Sequence, residues 1–119
     1  MERAGSCIAV VSGKGGTGKT SFTSGVGSAL AMMGRRTLCL DCDIGLRNLD
    51  LALGLSDRAL MDFTDVAQGR CSLERAVVPH MRIRNLYLLT APARIGRQSV
   101  ALQQLRTLLR QLRGKFDYC

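Results

Sequence analysis

Apolar residues fall into short runs along the chain, and each run stops at a glycine-rich or polar break. Ser6-Cys7-Ile8-Ala9-Val10-Val11-Ser12 is apolar, partly β-branched and ends at a glycine-rich turn, the pattern of a strand buried on both faces. From Lys19 to Met33 the residues are small or apolar, with Phe22, Val26, Ala29, Leu30 and Met33 at helical spacing and Gly34 as a stop. Gly25 and Gly27 each cost such a helix about 1 kcal/mol relative to alanine, and close packing against a sheet is the reason to keep them. Thr37-Leu38-Cys39-Leu40 reads as a second buried strand that breaks at Asp41-Cys42-Asp43. Strand, helix and strand compose a βαβ unit, which brings the loops after both strands to one edge. The turn at Gly13–Gly18 and the acidic cluster at Asp41–Asp43 are therefore expected to meet.

Downstream, Leu60 to Gln68 suits a short helix ended by Gly69, and Ser72 can cap another over Leu73 to Val77. Asn85-Leu86-Tyr87-Leu88-Leu89 is a third strand. Gly96 to Arg113 reads as a helix that sets Leu105, Leu108, Leu109 and Leu112 on one side and Arg106, Arg110 and Arg113 on another. Those leucines are needed to cover a sheet, so a membrane-lying helix is the minor alternative. Phe116-Asp117-Tyr118-Cys119 looks like the first half of a fourth strand, and the expectation is a chain truncated there, with residues 1–119 forming the N-terminal part of a single domain. The fold class expected is α/β, a parallel sheet with flanking helices.

Composition narrows the picture. The chain has 46% apolar residues and 2 prolines, enough core material to exclude disorder. Its 5 cysteines, an odd number behind a start that lacks a signal-peptide core, argue against a disulfide scaffold and for a reducing cytoplasm. The longest uncharged segment, Thr20 to Gly34, is short of a membrane span and broken by Ser, Thr and Gly. Net charge is +8, divided as +2 over residues 1–60 and +6 over residues 61–119. A basic second half keeps nucleic acid or an anionic membrane surface open as partners, against ordinary solvated arginines.

The chemistry lies in Gly13-Lys14-Gly15-Gly16-Thr17-Gly18-Lys19-Thr20, which fits G-x-x-x-x-G-K-[ST] between a strand and a helix. Such a loop wraps a polyphosphate with inward-pointing N–H groups, so several positions need positive φ or leave no space for a Cβ. The following helix adds its positive end. Lys19 is placed to bridge the β- and γ-phosphates and the Thr20 hydroxyl to ligate Mg²⁺, with Ser21 next along the binding segment. Lys14 is a second lysine in the turn, easier to tolerate beside a tetra-anionic ligand, and it points to a second phosphate contact. A carboxylate at the end of the second strand can hold a Mg²⁺-bound water or orient the attacking one. That switch role is assigned to Asp43, and Asp41 to support of the metal shell through water. Cys39-Leu40-Asp41-Cys42 spells C-x-x-C, but redox pairs of this spacing begin helices and no second pair completes a zinc site.

With Lys14 in place the loop resembles that of the deviant Walker A ATPases, the MinD/ParA family of P-loop NTPases of the SIMIBI type. Asp41-Cys42-Asp43-Ile44-Gly45-Leu46-Arg47-Asn48-Leu49-Asp50 is similar to the D-x-D-I-G-L-R-N-L-D stretch of the family's septum-site-determining MinD branch, and the likeness runs over essentially the whole chain. The resemblance implies ATP and Mg²⁺ as cofactors, a homodimer in the ATP state, and Lys14 reaching the nucleotide of the partner subunit. It further implies ATP-driven association with the inner face of the cell membrane through a C-terminal segment. Its partners would be the division-inhibitor and activator proteins of the Min system, and its role placement of the division septum. Arg47, Asn48 and Asp50 fall where the family keeps its nucleotide-sensitive partner surface. Thr17 and Cys42 depart from the usual Val and Ala or Thr, at positions where the chemistry rests on backbone or on neighbours. The alternatives are a ParA-type partition ATPase using its basic face on DNA, a flagellar-placement relative, or a fragment that binds nucleotide without turnover. The intact G-L-R-N-L-D run favours the MinD branch and sets nucleic acid aside.

Overall fold

A computed structural model describes residues 5–11, 18–42, 48–55, 61–90 and 101–119. Its elements are α1 (Gly18–Met32), β1 (Thr37–Leu40), α2 (Asn48–Ala52), α3 (Phe63–Ala67), α4 (Leu73–Ala76), β2 (Val78–Pro79), β3 (Leu86–Leu89) and α5 (Leu102–Lys115). β1 pairs with β3 in parallel, Thr37 opposite Leu86 through Leu40 opposite Leu89. On the far side of β1, Tyr118 bridges to Thr37 and also to Ser6, so the sheet continues through the last residues to the first described segment. The expected fourth strand is thus present in outline. It lies between the two strands of the βαβ unit, which are parallel neighbours at one remove.

Alternation along β1 and β3 divides the core in two. Leu38 and Leu89 face a cluster built with Phe63, Leu73, Ala76, Leu108, Leu112 and Phe116, while Cys39, Leu86 and Leu88 face Ala31, Leu49, Leu53 and Leu55. One face is therefore covered by α3, α4 and α5 and the other by α1 and α2, as a parallel pair requires. Helix α5 follows the expected pattern, with Leu108 and Leu112 buried, Leu105 and Leu109 half-buried, and Arg106, Arg110 and Arg113 exposed. It begins later than the sequence suggests. Ala101 is extended at ψ 150 and only caps the helix, its N–H donating to Gln104 Oε1 at 3.0 Å, while residues 96–100 lie outside the described residues.

Local chemistry sets the other boundaries. Arg35 N–H donates to Leu30 O at 3.1 Å and Gly34 N–H to Ala31 O at 3.0 Å, with Gly34 at φ +87, a Schellman stop for α1. Asp62 caps α3 through the Thr64 and Asp65 amides, and Asp65 accepts in return from Asp62 N–H at 2.9 Å. That helix starts at Phe63, later than expected, and stops before Gly69, at φ +78. Ser72 precedes α4 as expected, but its side chain makes no capping bond.

Three expectations are corrected. The sheet is not wholly parallel, because Val78 and Pro79 pair antiparallel with Leu88 and Tyr87 as an added edge, where a proline without an N–H is tolerated. The first segment is not buried on both faces. Ile8 is 52% exposed and Val11 87%, and among the described residues the segment's backbone bonds run to Arg113 and to residues 117–119. Of the two α1 glycines expected to pack closely against the sheet, Gly27 does so and Gly25 is exposed. Phe22, Val26 and Met33 are exposed, and the buried residues are Gly27 and Ala31.

Gly27 explains that orientation. A Cβ there would lie 2.5 Å from Cys39 Sγ, whereas one at Gly25 would meet nothing within 4 Å. Close packing accounts for one of the two helix glycines. Burial under α1 pushes the Cys39 thiol up to about 11, so it stays protonated at neutral pH. In urea unfolding, Gly27→Val is expected to cost about 1–3 kcal/mol by overpacking. Gly25→Ala should instead stabilise by about 0.5–1 kcal/mol through helix propensity, and equal effects at both positions would remove the packing explanation.

Candidate functional site

Packing of α1 on β1 sets the helix N-terminus beside the C-terminal end of the strand. Gly18, Lys19 and Thr20 form the first turn of α1, with Lys19 and Thr20 half-buried and Ser21 exposed. The N-terminal end of a helix carries a partial positive charge suited to phosphate. Thr23 Oγ1 donates to Lys19 O at 2.8 Å and fastens the side of that turn.

At the other end, Asp41 is 7% exposed. Its N–H donates to Leu89 O at 3.0 Å, carrying the β1–β3 ladder one residue past the strand. Its carboxylate Oδ2 accepts from Leu49 N–H at 3.4 Å, a long bond from the first turn of α2. Asp41 therefore joins the strand end to the helix that carries positions 48–50. The sequence reading gave Asp41 a metal-shell role and missed this link. The signal was available in the seven residues between Asp41 and Leu49, a spacing short enough for a strand-end carboxylate to cap the next helix.

Lys19, Thr20, Asp41 and Cys42 all line one cavity of about 380 Å³, together with residues 7–11, Leu49, Tyr118 and Cys119. The expected meeting of the Gly13–Gly18 turn with Asp41–Asp43 lies mostly outside the described residues; those that line the cavity are Lys19 and Thr20, just after the turn, with Asp41 and Cys42. A hydroxyl and a buried carboxylate are hard oxygen donors, the set that suits Mg²⁺, so the residues present fit that ion. Gly13, Lys14, Gly15, Gly16 and Thr17 lie outside the described residues, as do Asp43 and Arg47, and so do the side chains of Asn48 and Asp50.

The C-x-x-C pair divides between two environments. Cys39 is buried beneath Gly27 and Cys42 is exposed, neither in a disulfide, and no metal-binding group of three His, Cys, Asp or Glu occurs among the described residues. Nor is any helix among them long and apolar enough to cross a membrane.

Known proteins are similar to this chain in sequence and in fold. The chain is 42% identical to the septum site-determining protein MinD of Bacillus subtilis over 96% of its own length, and spans 43% of that relative. The MinD of the Aquifex aeolicus MinC:MinD cell division complex superposes with a TM-score of 0.83 at 38% identity, covering 94% of this chain and 44% of that one. MinD from Pyrococcus horikoshii, solved with Mg-ADP, superposes at 0.74 with 34% identity, over 94% of this chain and 46% of that one. The chain thus spans less than half the length of the relatives it matches. The family described as the CobQ/CobB/MinD/ParA nucleotide binding domain matches residues 8–118, and the chain belongs to that family.

Proposed function

We propose that these residues are the phosphate-binding front part of a MinD-type switch, a Mg²⁺-dependent ATPase whose ATP state dimerises and attaches reversibly to the membrane to place the division septum. The observation that carries this reading is the convergence of Lys19, Thr20 and Asp41 on one cavity, at the helix start and strand end where a P-loop enzyme handles its phosphates. The likeness to a MinD solved with Mg-ADP supports the same ligands here. Gly13 to Ser21 bind the phosphates, mostly through backbone N–H groups. Lys19 neutralises the β- and γ-phosphates, and Thr20 with Asp41 holds Mg²⁺, Asp41 acting through water. Bound Mg²⁺ supplies charge neutralisation on the phosphates.

Asp43 orients the water that attacks the γ-phosphorus as the bond to the β-phosphate oxygen breaks, releasing ADP and phosphate. Lys14 reaches the nucleotide of the partner subunit, which makes the dimer the active form. The Leu49–Asp41 bond gives a route from nucleotide to partners, since movement at the strand end displaces the first turn of α2 and with it Asn48 and Asp50, next to Arg47. The Aquifex relative crystallised in a MinC:MinD complex supports a division inhibitor as a partner. The setting is the cytoplasm and the inner face of its membrane.

Sedimentation of the protein expressed from its native locus, with and without Mg-ATP, is expected to show an ATP-dependent monomer-to-dimer shift. A species indifferent to ATP would make this a nucleotide-binding module without the switch. Lys19→Ala removes a charge-assisted contact of about 1.5–3 kcal/mol, so calorimetry should record ATP binding weakened by roughly 10- to 150-fold. Lys14→Ala should instead lower turnover by on the order of 10³-fold, as loss of a cation supplied in trans does, with Kd changed by less than about tenfold. Parallel losses of turnover and binding would refute the role across the dimer.

A further inference from the structure

The first and last described segments place two thiols side by side. Ser6 N–H donates to Asp117 O at 2.9 Å, Cys119 N–H to Ser6 O at 2.9 Å, and Ile8 N–H to Cys119 O at 2.6 Å. Cys119 thus bonds to the residues on both sides of Cys7, which puts Cys7 directly opposite it, one step beyond the Ser6–Tyr118 bridge. Opposed residues on adjacent parallel strands send their side chains to the same face across about 4.8 Å. That separation falls within the roughly 4.4–6.8 Å between Cα atoms that a disulfide needs. Both side chains line the cavity, Cys7 is exposed and Cys119 half-buried, and both are free thiols in hydrogen-bonding contact.

We propose that Cys7 and Cys119 form a modification site for small disulfides of the glutathione disulfide class, which oxidise the pair to an intrachain bond stapling the strand before the phosphate loop to the C-terminal strand. Cys7, the exposed partner, attacks one sulfur of glutathione disulfide, whose S–S bond breaks and releases one glutathione. Cys119 then attacks the Cys7 sulfur of the mixed disulfide and expels the second glutathione. The protein gives up two electrons and the two thiol protons, and glutathione disulfide takes them up as two molecules of glutathione. Burial first, and then the contact with Cys7, push the Cys119 thiol up to about 12. The closing step is therefore gated by the small thiolate fraction of Cys119, which rises tenfold with each pH unit below that value. Among the other thiols, Cys39 lies beneath α1, Cys71 packs against the same cluster as Cys119 but does not line the cavity, and Cys42 lines the cavity as the competing partner.

The test is incubation of the 119-residue chain with glutathione disulfide across pH 7 to 9, followed by acid quench, alkylation, proteolysis and mass mapping. The expected product links the Cys7 peptide to the Cys119 peptide, forms faster at higher pH, and melts more than about 5 °C above the reduced chain because the cross-link closes a very long loop. Cys7→Ser and Cys119→Ser should each abolish the shift. Mapping of the unmutated chain decides the matter even where a variant folds poorly. A dominant Cys7–Cys42 link, or glutathione retained on Cys7 without release of the second molecule, overturns the proposal.

Discussion

The contact between Gly27 and Cys39 is the constraint on which the remainder of the molecule is arranged. A helix can lie on a strand at that distance only where one residue has no side chain, and a Cβ at position 27 would stand 2.5 Å from the Cys39 sulfur. Once this point of contact is fixed, so are both ends that matter. Lys19 lies eight residues back along the helix, about 12 Å at 1.5 Å per residue. Asp41 lies two residues on along the strand, about 7 Å. The backbone crossing beneath Lys19 and Asp41 holds them around one cavity. The phosphate end of the helix and the carboxylate end of the strand are positioned by a packing event in the apolar layer.

The same crossing explains why the large apolar residues of α1 turn elsewhere. With Gly27 and Ala31 against the sheet, Phe22, Val26 and Leu30 are carried round to the cavity, where they meet residues 7–11 from the first segment and Leu105 and Leu109 from α5. The cavity is therefore apolar along much of its wall, with Lys19, Thr20, Thr23, Thr37, Asp41 and Tyr118 among its polar members. Polar groups held in such a setting interact more strongly with a bound anion than the same groups in water.

Much of this was legible in the sequence, and the misses share a cause. β1 was read at its observed limits and β3 within one residue, because a short apolar run between polar breaks has one solution when both faces are covered. The glycine-lysine loop and its flanking elements marked the site for the same reason, local order of strand, turn and helix. Gly25 and Gly27 look alike in the sequence, while the tight interface with β1 selects only the small residues in register with Gly27. Thr23, Gly27 and Ala31 recur every four residues, and that stripe was the available signal. β2 was missed because two residues ending in proline carry no period. The antiparallel edge is made by the turn behind it, where His80 Nδ1 accepts from the Arg82 and Ile83 amides at 3.1 and 3.0 Å and Asn85 adopts φ +72. The link from Asp41 to Leu49 joins two elements, and no single window contains it.

The excess of positive charge in the second half also reads differently once contacts are known. Arg70 pairs with Asp65 at 2.9 Å, and Lys115 pairs with Glu74, whose carboxyl it holds below the usual range by that hydrogen bond. Arg113 Nε donates to Gly5 O at 2.9 Å while the Gly5 N–H donates to Arg113 O at 2.7 Å, tying the first segment to the end of α5. Arg36 lies over the rings of Tyr87 and Phe116 at 4.8 and 5.2 Å, and its backbone N–H donates to the Asp117 carboxylate at 2.8 Å. Arg36, in the first half of the chain, thus holds residues 116 and 117 through the edge-to-face Tyr87–Phe116 pair and a backbone bond, and Arg113 ties the first segment to the helix that precedes them. A guanidinium suits both tasks because it is flat enough to stack and carries several donors, where an ammonium offers only a point charge. Part of what composition registers as a basic surface is the set of pins that holds the last strand beside the first, upstream of the phosphate loop.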